Sequence, residues 1–319
     1  MQKRMIYIFL GVVAAVIIMI VVLDILESRP DKRGDNPFAL EVGEFMEVDP
    51  EMIIYNETRN LKLQPGEYRG IDVSGDNIYI IANNYLQVVD RNGSELRKIT
   101  LPGSPGAVLK NQDKLLIGYK DYVASYTLEG ELINEFEAIG DSAVVTSIAV
   151  IGENIFVADA GNRQVLRYSH DGKLIDSFKG KREADDLHGF IVPSPYFDIA
   201  NNDGALWVVN PGMHAMENYT MDGDLRGYWE KATNTVEGFA GCCNPAHIAV
   251  MPDRSFVTSE KGIVRIKVFE LSGKLTGFVA EPRKFDEDGH APDVSVDDAG
   301  VIYALDFDRN LIRVFEKKN

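Results

Sequence analysis

The segment Gly70-Ile-Asp-Val-Ser-Gly-Asp-Asn-Ile-Tyr-Ile80 returns, reworded, five more times along the chain, beginning at Ala107, Ser147, Asp198, His247 and Asp293. Each copy is a short apolar strand, a polar turn and a second apolar strand, as in Asp293-Val-Ser-Val-Asp-Asp-Ala-Gly-Val-Ile-Tyr303. A supersecondary unit repeated at roughly 40-residue spacing cannot bury its apolar face alone, so the copies must stack on one another. Few architectures satisfy that demand with strands.

Two more strand signals follow each copy, for example Val264-Arg-Ile-Lys-Val-Phe-Glu270 and Lys274-Leu-Thr-Gly-Phe-Val279. They are joined by turns at Asn92-Gly93, Glu129-Gly130, Asp171-Gly172, Asp222-Gly223 and Ser272-Gly273, where a tight hairpin needs positive φ. Five repeats therefore read as four-stranded antiparallel blades. The sixth ends at Asn319 without a fourth strand, while Met52-Ile-Ile-Tyr55 and Asn60-Leu-Lys-Leu63 are strand-like and belong to no repeat. An open sheet edge invites aggregation, so the upstream strand is expected to complete the last blade. The sequence predicts an all-β, six-bladed β-propeller over 39–319.

The third repeat, Ser147-Ile-Ala-Val150 followed by Asn154-Ile-Phe-Val-Ala-Asp-Ala-Gly-Asn-Arg-Gln-Val-Leu166, resembles NHL repeats. The resemblance runs from about residue 51 to the end, but the other five copies keep only its hydrophobic grammar. It implies a six-bladed propeller. NHL-type propellers include protein-binding platforms, and related six-bladed propellers include metal-dependent lyases and lactonases.

Before the repeats the chain is of another kind. After Met1–Arg4, the run Met5–Leu23 carries no charge. As a helix it would span roughly 28 Å, about the hydrocarbon thickness of a bilayer. It is too long for the apolar region of a cleaved signal peptide, and no small-residue cleavage site follows it. The expected organisation is a cytoplasmic tail at 1–4, a transmembrane signal-anchor helix at 5–26, a polar linker at 27–38 interrupted by Pro30 and Pro37, and the propeller on the extracytoplasmic side, periplasmic or extracellular. Lys3 and Arg4 before the helix, with Asp24 and Glu27 after it, give that orientation.

The net charge of −16 opposes binding to nucleic acid, which needs a basic footprint. Only two cysteines occur, adjacent at Cys242 and Cys243, so no disulfide framework holds the fold. The pair admits four readings: packed thiols, a vicinal disulfide, a soft-metal site selecting Cu(I) with nearby methionines, and catalytic thiol chemistry.

The repeat spacing widens from 37 residues between the first two copies to 51 between the third and fourth. The added length lies in the connections 181–197, 231–246 and 283–292, which strand alternation places on one face. That face gathers the uncommon residues His188, His214, Asn244 and His290, together with the cysteines. Loops on a rigid scaffold are where binding residues concentrate; alternatively these loops only cap the central channel.

In register, the residues opening the innermost strands are Gly70, Ala107, Ser147, Asp198, His247 and Asp293. Two carboxylates and an imidazole from consecutive blades are thus expected at one channel mouth. They suit a divalent cation, Ca²⁺ by the carboxylates and Zn²⁺ or Fe²⁺ with the imidazole, or else a polar plug that satisfies backbone N–H groups. The function expected is a membrane-tethered scaffold binding a protein, peptide or small ligand through the loop-rich face, without catalysis. The alternatives are a metal-dependent lyase or hydrolase at Asp198, His247 and Asp293, and a thiol- or metal-handling accessory using Cys242 and Cys243.

Overall fold

A computed structural model of the chain describes residues 2–27, 45–181, 189–233, 235–286 and 289–318. It forms two compact units, Met1–Val42 and Gly43–Asn319. In the first, Gln2–Glu27 is one α-helix, apolar all round because no polar residue interrupts its centre. The side chains of Val12–Val22 are exposed. Among the described residues, no helix is long and apolar enough to cross a membrane. The expected linker, 27–38, lies almost wholly outside the described residues.

The second unit is a ring of six four-stranded sheets. Blades 1 to 5 are consecutive antiparallel meanders, with innermost strands Tyr68–Ser74, Ala107–Asn111, Val145–Ile151, Ile199–Asn202 and His247–Val250. Blade 6 contributes Asp293–Val296, Ile302–Asp306 and Leu311–Lys317, and Tyr55–Lys62 from the start of the unit is its outermost strand. The closing pairing runs antiparallel from Tyr55 opposite Lys317 to Lys62 opposite Leu311, with a bulge between Glu57 and Arg59. The earlier strand signal at 52–55 is a short 3₁₀ turn, Pro50–Met52, leading into that strand.

Alternation within the strands places large apolar residues between neighbouring sheets. Phe156, Phe190, Phe197 and Tyr219, for instance, fill the space between blades 3 and 4. The five hairpin glycines adopt φ between +81 and +94°. At Gly172 a side chain would also collide with the ring of Phe136 in the preceding blade. Adjacent innermost strands touch in a closed circle, and their starts define the mouth of the central channel.

Candidate functional site at the channel mouth

Asp198, His247 and Asp293 converge as their register requires. One ligand atom from each lies within 4.8 Å of the other two. His247 Nδ1 stands 3.5 Å from Asp293 Oδ1 and 3.7 Å from Asp198 Oδ2, farther than a hydrogen bond reaches.

Each carboxylate also joins blades. Asp198 Oδ2 accepts the N–H of Ile248 in blade 5 at 2.9 Å, and its Oδ1 accepts Ile199 N–H at 2.8 Å. Asp293 Oδ2 accepts the N–H of Ile71 in blade 1 at 2.8 Å, and its Oδ1 accepts Val294 N–H at 2.9 Å. The same device recurs without charge where Val73 donates to Ser295 Oγ at 3.0 Å, and with charge where Lys110 donates its N–H to Asp72 Oδ2 at 2.7 Å. These side chains satisfy backbone groups that the edges of innermost strands would otherwise leave unpaired. Every carboxylate oxygen keeps a second lone pair for another partner.

Electrostatics act on the imidazole and on two of the acids. Burial alone would lower the pKa of His247, but the charge of Asp293 and a contact with Asp198 outweigh it and raise it above its ordinary value. Burial pushes Asp293 up to about 6, with His247 opposing and Asp198 reinforcing the shift. Burial likewise pushes Asp72 up to about 6 against two backbone hydrogen bonds.

Below the mouth lies a cavity of about 1040 Å³, lined by innermost strands of all six blades. Asp198, His247, His290 and Asp293 line it, as do Asp72 and Tyr196. Tyr196 meets the His247 ring edge-on, centroids 5.4 Å apart at 80°. Burial, then the charges of Asp308 and Cys243, raise its phenol pKa. His290 is exposed and pairs through Nδ1 with Asp308 Oδ1 at 2.7 Å.

Asn244, His214, Cys242 and Cys243 do not line the cavity. Asn244 is fully buried and ties its loop to the next hairpin, accepting Lys261 N–H at 2.9 Å and donating to Lys261 O at 3.1 Å. His214, half-buried in a turn, has Nδ1 3.1 Å from the Asn244 carbonyl oxygen. Cys242 and Cys243 are free thiols. His188 lies outside the described residues.

Sequence reasoning missed how the connections into blades 3, 4 and 5 are held. The residues ending the second strands of blades 3, 4 and 5 each accept an N–H from the preceding connection. Asp159 accepts from Val144 at 2.9 Å, Asn210 from Ile191 at 2.8 Å and Glu260 from Ala240 at 3.2 Å. Blades 1 and 2 have Ala82 and Gly118 at that register, and short connections. The signal was periodic and legible: a polar residue four or five positions after the apolar start of the second strand. Asp159 also accepts from Asn162 Nδ2 at 2.7 Å and Gln164 Nε2 at 3.1 Å, so the polar letters of the third repeat build a turn.

The molecule is thus a six-bladed β-propeller whose cavity opens past an Asp–His–Asp cluster. No family model matches the chain, and no curated protein matches it. Solved structures do share its fold. A streptogramin B lyase superposes with a TM-score of 0.58 at 14% identity, covering 84% of this chain and 99% of that one. Virginiamycin B lyase from Staphylococcus aureus gives 0.55 at 18% identity, with 81% and 88% covered. The Pan2 WD40 domain of Neurospora crassa gives 0.54 at 10% identity, with 84% and 97% covered. At such identities the likeness is one of fold, and a fold hosts many functions.

Proposed function

We propose that this protein is a ligand-binding propeller that takes a small ligand, or a protruding segment of a protein or peptide, at the mouth of its central cavity. The observation that carries the reading is the convergence of Asp198, His247 and Asp293 above a cavity of about 1040 Å³, a volume at the upper end of ordinary ligand pockets. Pro195 and Tyr196 from the connection into blade 4 and His290 from the connection into blade 6 line that cavity, and the NHL-like grammar of the third repeat agrees with a binding platform. The uncharged run Met5–Leu23 supports tethering to a membrane, with the propeller on its extracytoplasmic side.

A second reading, a metal-dependent lyase or hydrolase, is favoured by the donor set. Two carboxylates and an imidazole separated by more than hydrogen-bonding distance leave room for one cation with ligand distances of about 2.0–2.6 Å. Two solved structures of like fold are lyases by name.

Calorimetric titration of the full-length chain with Ca²⁺, Mn²⁺ and Zn²⁺, and with small carboxylate- and amine-bearing ligands, tests both readings. Binding is expected to weaken at least about tenfold in His247→Ala, whose melting temperature stays near that of the wild type. Binding unaffected by that change would put the ligand elsewhere and overturn the assignment of the mouth. Metal binding without turnover of any ester or lactone would leave the binding reading alone standing.

A further inference from the structure

Cys242 and Cys243 lie outside the lining of the central cavity. Their Sγ atoms are 3.4 Å apart, with Cys242 exposed and Cys243 buried. The turn that carries them is clamped on both sides. Before it, Ala240 N–H reaches Glu260 Oε2 at 3.2 Å, and Gly238 O accepts from Arg265 Nη2 at 2.7 Å and from Lys267 Nζ. After it, Asn244 is bonded to Lys261 and Ala246 N–H to Ser259 O at 2.8 Å. The two sulfurs are therefore held near each other by fixed backbone on either side, one accessible and one sheltered.

We propose that this pair is a thiol–disulfide exchange site for small-molecule disulfides, in which Cys242 attacks and Cys243 resolves. The Cys242 thiolate attacks one sulfur of RS–SR, forming a Cys242–S–SR mixed disulfide and releasing RS⁻. The Cys243 thiolate then attacks Cys242 Sγ, closing a vicinal disulfide and releasing the second RS⁻. Two protons and two electrons leave the protein, and the small disulfide becomes two thiols.

Geometry sets where this equilibrium lies. Adjacent Cα atoms across a trans peptide are about 3.8 Å apart, whereas ordinary disulfides prefer about 4.4–6.8 Å. The product ring is strained, and strained, exposed disulfides are the easily reduced ones. The site should exchange reversibly rather than lock. The Cys242 thiol is held above its usual value by a hydrogen bond to Cys243 and by that neighbour's charge, with Lys261 opposing, so exchange should accelerate as pH rises through the thiol range.

The test incubates the full-length chain with oxidised glutathione, quenches with N-ethylmaleimide and reads the intact mass. The expected product has neither thiol alkylated and no glutathione retained, and dithiothreitol restores both thiols. Two alkylatable thiols after incubation, or glutathione kept stably on the wild type, would overturn the proposal. Cys243→Ser is expected to accumulate the mixed disulfide, and Cys242→Ser to react at least about tenfold more slowly. The reverse order would sink the assignment of roles. Should Cys243→Ser fail to fold, the wild-type masses and the exposed Cys242→Ser variant still decide the matter.

Discussion

The carboxylate of Glu57 accepts from both Nε and Nη2 of Arg313, at 2.9 and 3.0 Å. Lys284 Nζ adds a third contact to the same group at 2.9 Å. Glu57 sits on the first strand of the propeller and Arg313 on the last, so this pair fastens the two ends of the ring. Burial would raise the pKa of Glu57, but its hydrogen bonds to Arg313 and Lys284 outweigh it and hold it at about 2.

Removing that carboxylate should loosen the closure. Glu57→Ala leaves Arg313 only Asp306 and the Lys284 carbonyl as partners, and losing the charged hydrogen bonds should cost about 1.5–3 kcal/mol, to be read as a lower urea midpoint. Deleting residues 39–65 should abolish cooperative unfolding or cause aggregation, because the edge of Leu311–Lys317 is then open. A truncated chain melting as sharply as the intact one would show that closure is dispensable.

The pH dependence follows from groups shifted in opposite senses. Asp72 and Asp293 are raised to about 6, so their share of stability is full below about 4 and is lost as pH rises towards 6. His247, also raised, contributes fully below its unfolded value of about 6.5 and loses that share as pH rises through its folded value. Glu57, lowered to about 2, contributes above about 4.5 and loses that share as pH falls towards 2. Stability should peak nearer pH 5 than pH 7. Asp72→Asn, which keeps an acceptor for Lys110, should stabilise the protein at pH 7 by up to about 3 kcal/mol and flatten the profile. A melting temperature that climbs steadily from pH 5 to pH 8 would refute the account.

Blade 5 buries a charged trio. Glu260 Oε1 meets Arg265 Nε at 2.9 Å and Lys267 Nζ at 2.7 Å, and all three side chains are fully buried. Burial drives Lys267 down to about 8 despite Glu260. Glu260→Ala should therefore cost about 3–5 kcal/mol by leaving two buried cations unpaired. Lys267→Met should be close to neutral, because a well-packed apolar replacement escapes desolvation. Chemical denaturation of the two variants distinguishes a structural clamp from a surface ion pair.

The proposed membrane tether has its own test. The native protein should stay in the membrane fraction after a carbonate wash, with its N-terminal sequence intact. A soluble form beginning near residue 28 would restore a cleaved signal segment.

Periodicity alone determined the blades, because strand alternation and turn chemistry are local and each repeat restates them. The orphan strand ending near Leu63 announced the closure, since a three-stranded last blade needs a partner. Register also carried Asp198, His247 and Asp293 to one mouth: innermost strands of a closed ring begin at the same height, whatever lies between them. Other relationships were decided only by tertiary packing. Tyr196 against His247 and Asn244 drawn into the interior both depend on how connections of irregular length fold over the ring. Such contacts join residues with no fixed spacing and obey no period. The exposure of Cys242 beside a buried Cys243 is of the same kind, for two adjacent letters read alike until a clamped turn points one outward and one in.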